Sequence, residues 1–500
     1  MLIQSSKKMK KITRYSLLVA LCTSTLLMSC DDFLTTIPES SYSAEGSYKS
    51  QDDFNYAVAA VYSAQQGLFS SNASWLRLII TRSDDIRTGA TYVNGVDQFL
   101  DTDAVDHLTN FWSTAYVMIN RCNLILDKID GVEFKDNALK DAIKGEAHAL
   151  RAWAYHNLAW QFGGVPLIDH ELTVDETLQV ARSTQEQTFE FAANDYKSAI
   201  ELLPESWDTD NAGRITKYAA EGGLARLYMF QSKFTEAMPY LKDIIDSGKY
   251  AMEEEYVNCF TDSHDNGKER VWEVQFTGGQ LGEGHAFGSG MIPEGYPGGD
   301  ILPFPGWSSY IYVSNSMVNA YEKGDLRKDV SVVNNLMNNG VLDEKYVIRK
   351  FCHFDAYIPK DRSDLANNIP IIRYTDVKMM YAECLNEAGY VGDGEAFNIL
   401  NEVRSRAGLP ALTSATVPNQ DAFRKAIQQE RRVEFAFEGL RWYDLLRWGI
   451  AEKVMNEFFL DKDEGDGLYH MDDFRKIFAI PRVEIERYHN EDVMWQNPGY

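Results

Sequence analysis

The sequence predicts an all-α-dominated protein, an α/α superhelix of stacked helix pairs with long loops and a few short strands. Three observations carry this expectation. Apolar residues recur at helical spacing over most of the chain, two segments read as antiparallel helix pairs, and strict alternation is confined to short pieces. Of the 500 residues, 45% are hydrophobic and 25% charged, values that exclude a largely disordered chain, a collagen-like fibre and a multi-pass membrane protein.

The stripes run in order along the chain. Ile143, Ala147, Leu150, Ala154, Leu158 and Ala159 make a long apolar face that stops at Gly163 and Gly164. Residues 187–203 and 216–247 are helical in pattern, as are residues 421–448. Tyr374, Val377, Tyr381, Cys384, Leu385 and Ala388 fall on one face of a 3.6-residue helix. Ala396, Ile399, Leu400 and Val403 start a second stripe, closed by Gly408 and Pro410. In Leu224, Ala225 and Tyr228, then Phe234, Ala237 and Leu241, small residues stand where two antiparallel helices must approach closely, as in tetratricopeptide units. The 374–408 pair repeats that plan, so the superhelix is expected to be tetratricopeptide-like. Alternation occurs over residues 271–276 and 346–351.

One long interruption stands out. Of the 29 residues in 278–306, ten are Gly, and Pro293, Pro297, Pro303 and Pro305 add further breaks. Phe287, Tyr296, Phe304, Trp307, Tyr310 and Tyr312 are strung through it and just beyond. A long loop rich in rings suits a ligand surface, because glycine lets the backbone bend closely around a bound molecule.

The first thirty residues bear on the compartment. Lys7, Lys8, Lys10, Lys11 and Arg14 precede the uncharged, mostly apolar stretch 15–28, too short for a bilayer span of about 20 residues and of signal-peptide length. Leu27, Met28, Ser29 and Cys30 resemble a bacterial lipobox, which predicts a signal peptide over 1–29 and lipidation of Cys30. Asp31 and Asp32 follow at once, as in a surface-export signal. No other uncharged apolar run of 18 residues occurs.

The formal charge is −25, and removal of residues 1–29 takes it to −30. That argues against nucleic acid as a partner. Beyond Cys22 and Cys30 the chain holds Cys122, Cys259, Cys352 and Cys384, too few for a disulfide framework. Cys122 and Cys384 lie on apolar stripes and read as buried thiols; a Cys259–Cys352 bridge stays open as the less favoured alternative.

No cofactor or metal is expected. There is no HExxH, GxGxxG, Walker lysine or GxSxG elbow. Asp461, Asp463, Gly465 and Asp466 hint at a calcium loop, but the ligand positions fail and an acidic surface turn is the better reading. The carboxylates of 430–447 read as a structural ion-pair network, with Arg431–Glu434 and Asp444–Arg447 at i,i+3 spacing.

Several segments together resemble the SusD/RagB family of outer-membrane nutrient-binding lipoproteins. They are 146–155 (EAHALRAWAY) with 162–167 (FGGVPL), 214–220, 371–377 with 381–383 and 404–409, 430–445 (ERRVEFAFEGLRWYDL), and 479–481 with the terminal QNPGY. They occur in the family's order over nearly the whole mature chain. The resemblance implies one SusD-like domain over 30–500: an N-terminal helical half (30–250), a loop-rich ligand-facing region (251–370) and a C-terminal helical segment (371–500). It implies a non-enzymatic surface lipoprotein of the outer membrane that captures a glycan and passes it to a SusC-like TonB-dependent transporter. The rival reading is a surface glycoside hydrolase on the same helical scaffold.

Family ligand residues lie in variable loops, so the site is read from this chain alone. Trp307, with Tyr296 and Tyr310, is expected to form an aromatic surface for a sugar ring. A second segment, 75–92, contributes Trp75, Asp84, Asp85, Arg87 and Tyr92, since aromatic faces with Asp and Arg match the apolar faces and hydroxyl edges of a sugar.

Overall fold

A computed structural model describes residues 48–69, 74–88, 95–307 and 311–500. Its N-terminal half is a run of helices: α1 (Gln51–Gly67), α2 (Asp106–Lys128), α3 (Asn137–Phe162), α4 (Gln185–Leu202), α5 (Lys217–Phe230) and α6 (Phe234–Asp246). Each packs on its neighbour in the series, and α6 packs in turn on α7 (Tyr374–Ala388), which opens the C-terminal set of α8 (Glu395–Arg406), α9 (Gln420–Glu434), α10 (Arg441–Arg447) and α11 (Ala451–Leu460). This is the tetratricopeptide-like superhelix that the stripes predict, with α5–α6 and α7–α8 as the two helix pairs.

Local chemistry explains where the helices start and how closely they meet. Ser50 caps α1 and Thr184 caps α4, each in a reciprocal capping box, with Asp53 and Gln187 respectively. In α3 nearly every residue from Ala142 onward is buried, because neighbouring elements cover it on all sides. The helix ends at Gly163, whose φ of 77° suits glycine. A Cβ on Gly223 would stand 2.7 Å from the Tyr196 ring, so only glycine lets α5 come this close to α4.

Residues 216–247 form the expected helix pair, which turns at Ser232, whereas the helical pattern over 421–448 is broken at Phe437 and Gly439, all three with positive φ. The break at 437–439 lets Glu438 turn inward to receive Arg373 and Lys350.

Eight short strands are described, in four two-stranded antiparallel sheets: β1 (Ile86–Thr88) with β3 (Ile311–Val313), β2 (Arg270–Val274) with β8 (Ile369–Arg373), β4 (Val332–Val333) with β7 (Val347–Ile348), and β5 (Leu336–Asn338) with β6 (Val341–Asp343). Strand β2 overlaps the alternating stretch 271–276 over residues 271–274, whereas only Val347 and Ile348 of 346–351 form strand.

One apolar core runs through both helical halves, and a smaller one lies under the loop region, built from Ile292, Tyr296, Ile301, Leu302, Val347 and Cys352. A buried charge network ties the loop region to α9. Glu434, fully buried, receives Arg373 at 2.9 Å, Arg406 at 2.6 Å and Arg327 at 3.1 Å. The network at 430–447 is therefore structural, with one change of partner. Arg431 pairs with Asp376 and Asp444 rather than with Glu434, while Asp444–Arg447 forms at the predicted spacing.

Cys122, Cys259, Cys352 and Cys384 are all free and buried, so the Cys259–Cys352 bridge is not formed. Among the described residues no helix is long and apolar enough to cross a membrane.

Candidate functional site

The cleft with the clearest ligand chemistry is built on the β1–β3 pair. Arg87 stands directly opposite Tyr312 in that ladder, so both side chains project from the same face. The Val313 N–H donates to the Tyr346 carbonyl at 2.9 Å, which brings the segment before β7 alongside β3. Together with Lys345, Asn315 and the 461–466 turn these residues line a cleft of about 500 Å³.

The groups in it are complementary to a sugar. Tyr312 and Tyr346 supply rings, with the Lys345 ammonium 4.4 Å from the Tyr312 ring centre and Lys328 5.2 Å from that of Tyr346. The Tyr312 hydroxyl lies 3.4 Å from Asp343 Oδ2. Arg87, partly exposed, donates to the Asp463 carbonyl and keeps Nε 3.7 Å from Glu464 Oε2. Glu464 is buried; its Oε1 accepts from the Asn315 N–H at 2.6 Å, while its Oε2 has no hydrogen-bond donor among the described residues. Burial raises the Glu464 carboxyl above the usual range. Rings, a forked cation and an unsaturated carboxylate acceptor can together stack on a pyranose and hold its hydroxyls.

Among the expected ligand residues, Arg87 lies in this cleft. Trp307, four residues before β3, is half-buried; its Nε1 donates to Ser289 Oγ at 3.1 Å and the Arg362 guanidinium stands 5.1 Å over its ring. Tyr92, Tyr310 and Cys30 lie outside the described residues.

Four expectations are corrected. Trp75 is only 8% exposed and stacks on Trp153 at 5.6 Å and Phe69 at 4.9 Å, so it fills the core. Asp84 is gripped by Arg441, with both oxygens at 2.8 Å, and by Arg432. Burial works against its charge, but these two cations outweigh that and hold the carboxyl down to about 2. Asp85, equally buried, pairs with Arg432 at 2.9 Å. Tyr296 is 6% exposed in the small second core, its hydroxyl accepting from the Ile301 N–H. These side chains hold β1 and the loop region to the helical body.

The reading from sequence missed Tyr346, Lys345 and Glu464, and left Tyr312 out of the site. The alternation around 346 was visible as a strand signal, but nothing local marked that strand as a cleft wall. The 461–466 turn delivers Asp463 and Glu464 to the cleft, and among the described residues no cluster of His, Cys, Asp or Glu is arranged to hold a metal.

Comparison with known proteins places this geometry in a family. The model of the SusD family matches residues 331–500, and a model described as starch-binding, associating with the outer membrane, matches residues 36–229. The chain belongs to the SusD/RagB family. SusD-like protein P25 of Formosa agariphila is 24% identical over 495 residues, covering 90% of this chain and 92% of that protein. A SusD-like protein of Bacteroides ovatus is 26% identical over 484 residues, covering 90% and 86%. Among solved structures, surface glycan-binding protein A from Bacteroides fluxus superposes with a TM-score of 0.77 at 26% identity, over 90% of this chain and all of that one. Surface glycan-binding protein A from Bacteroides thetaiotaomicron, in complex with laminarihexaose, shares the fold with a TM-score of 0.76 at 21% identity, over 90% of this chain and all of that one.

Proposed function

We propose that this chain is a non-enzymatic, lipid-anchored glycan-binding protein of the outer membrane, taking an oligosaccharide in the β1–β3 cleft and passing it to a SusC-like TonB-dependent transporter. The observation that carries the reading is the pairing of Tyr312 and Tyr346 with Arg87 and the unsaturated Glu464 in one open cleft. The family supports it, as do the relatives named for glycan binding. Trp307, four residues before β3, is proposed to extend the site, and Tyr310 and Tyr92, close in sequence to β3 and β1, stay proposed ligand residues. The lipobox at 27–30 supports an anchor at Cys30.

Calorimetry against a panel of neutral oligosaccharides, laminarihexaose included, tests the proposal. Binding that is lost in Tyr346→Ala supports it. Binding unchanged by Tyr346→Ala and Arg87→Ala rejects the cleft. Release of new reducing ends from the bound oligosaccharide favours the glycosidase reading, for which Glu464 is the natural acid.

A further inference from the structure

A second cleft, of about 380 Å³, opens between the 205–216 loop and β2, and Trp207, Arg214, Lys249, Lys268, Arg270 and Gln275 are among its walls. We propose that it is a separate binding site for an acidic sugar, a pyranose bearing a carboxylate or a sulfate ester; the choice of a sugar rests on the glycan-binding reading above, whereas the choice of an anion rests on this cleft alone.

The cleft holds a fixed ring. Trp207 Nε1 donates to the Ile215 carbonyl at 2.8 Å, and the Arg214 guanidinium lies 4.3 Å over the indole. A half-buried indole held this way is a preformed wall for a sugar.

It also holds a buried donor without an acceptor. The Arg270 side chain is 1% exposed; Nη1 donates to Glu273 at 2.9 Å, but among the described residues Nη2 has no hydrogen-bond acceptor, and the Asp265 carboxylate stands 3.7 Å from it. Burial, then the neighbouring Glu273, raises the Asp265 carboxyl, which weakens its hold on the Arg270 charge. An unpaired buried N–H is unfavourable, and a charged oxygen entering the cleft would satisfy it.

The rim is cationic and loosely committed. Lys249 lies 3.4 Å from Glu205 and Lys268 3.6 Å from Glu253, with both lysines substantially exposed. Such pairs are weak in water, so both ammonium groups can turn to a ligand. Arg214 is committed to Glu146 and Asn211, so what this cleft offers an anion is the two loosely paired rim ammonium groups and the open Nη2 edge of Arg270.

The test is calorimetry on the purified mature protein with three probes: trigalacturonate, its fully methyl-esterified form, and a sulfated carrageenan disaccharide. We expect at least one anionic probe to bind, the ester to bind at least tenfold more weakly than the acid if the acid is the ligand, and Lys268→Glu and Trp207→Ala each to weaken the anionic probe at least tenfold. Lys268 is a rim residue, so its variant stays informative if loss of the indole disturbs the loop. Binding of the acidic probe that persists in Tyr346→Ala separates this site from the β1–β3 cleft, and failure of the neutral panel leaves it standing. No binding of either anionic probe at millimolar concentration, equal binding of acid and ester without sulfate binding, or binding unaffected by Lys268→Glu and Trp207→Ala would each overturn it.

Discussion

Arg87 and Tyr312 face each other directly across the β1–β3 ladder, the one on the strand that follows the first described helices, the other beyond the Gly-rich loop. Cross-strand partners on one face lie within side-chain reach. The pair therefore presents a forked donor beside a ring, in a cleft where Glu464 stands next to the Arg87 guanidinium.

That arrangement predicts a graded response to substitution. Tyr346→Ala and Tyr312→Ala should each weaken oligosaccharide binding by about 1–3 kcal/mol, roughly the contribution of a stacked ring and its displaced contacts. Arg87→Ala should weaken it too, with only a small fall in the urea midpoint of unfolding, because the side chain is partly exposed and its ties to Asp463 and Glu464 are local to the cleft. Calorimetry and urea unfolding on the same preparations check both halves.

The helical frame was legible because burial imposes a 3.6-residue rhythm. Tyr374, Val377, Tyr381 and Cys384 could be read as one face, and all four are buried. The site was less legible, for a physical reason. Trp75 and Tyr346 both stand near turns and charges in the sequence, yet Trp75 stacks on Trp153 in the core and Tyr346 lines a cleft. The difference lies in long-range pairing: β3 meets β1 across most of the N-terminal half, and the 461–466 turn arrives from the far end of the chain. No local pattern encodes that meeting. Asp84 misled for a related reason, since a carboxylate that binds a ligand and one that binds Arg441 have the same local sequence signal.

The central charge network gives a stability prediction. Glu434 neutralises parts of Arg373, Arg406 and Arg327 in a region without solvent. Glu434→Gln should destabilise the protein by about 3–5 kcal/mol, because it leaves buried cations short of a counter-charge. A shift of the urea midpoint to lower denaturant, with an unchanged slope, is the expected reading.

Acid should unfold the chain through related groups. Burial alone would push the Asp376 carboxyl up, but Arg431 and Arg226 outweigh it and hold it at about 2. A carboxyl lower in the folded than in the unfolded chain contributes stability that is fully present above the unfolded value near 3.8. It is lost as pH falls toward 2. Asp376 should supply about 2 kcal/mol that vanishes across that window. Urea midpoints measured from pH 5 to pH 2.5 should fall, and Asp376→Asn should fall less steeply. Equal slopes for the two proteins would refute the assignment.

The anchor is open to a direct chemical test. Cys30→Ala should abolish incorporation of labelled palmitate and release the protein from the membrane fraction. Continued labelling of the variant would place the lipid elsewhere.

Two tryptophans separate packing from recognition. Trp75 stacks on Trp153 and Phe69, so Trp75→Ala opens a cavity and should cost about 3–5 kcal/mol, with oligosaccharide affinity retained in the folded fraction. Trp307 is half-buried, tethered through one hydrogen bond to Ser289 and covered over its ring by Arg362. If it extends the sugar surface toward β3, Trp307→Ala should weaken binding at least tenfold while the melting temperature moves by no more than a few degrees. Trp307→Phe should recover part of the affinity, because the ring face returns although the Nε1 donor does not. A large fall in melting temperature with full affinity in the folded fraction would show instead that Trp307 pins the loop to the body, and the sugar surface would then end at Tyr312.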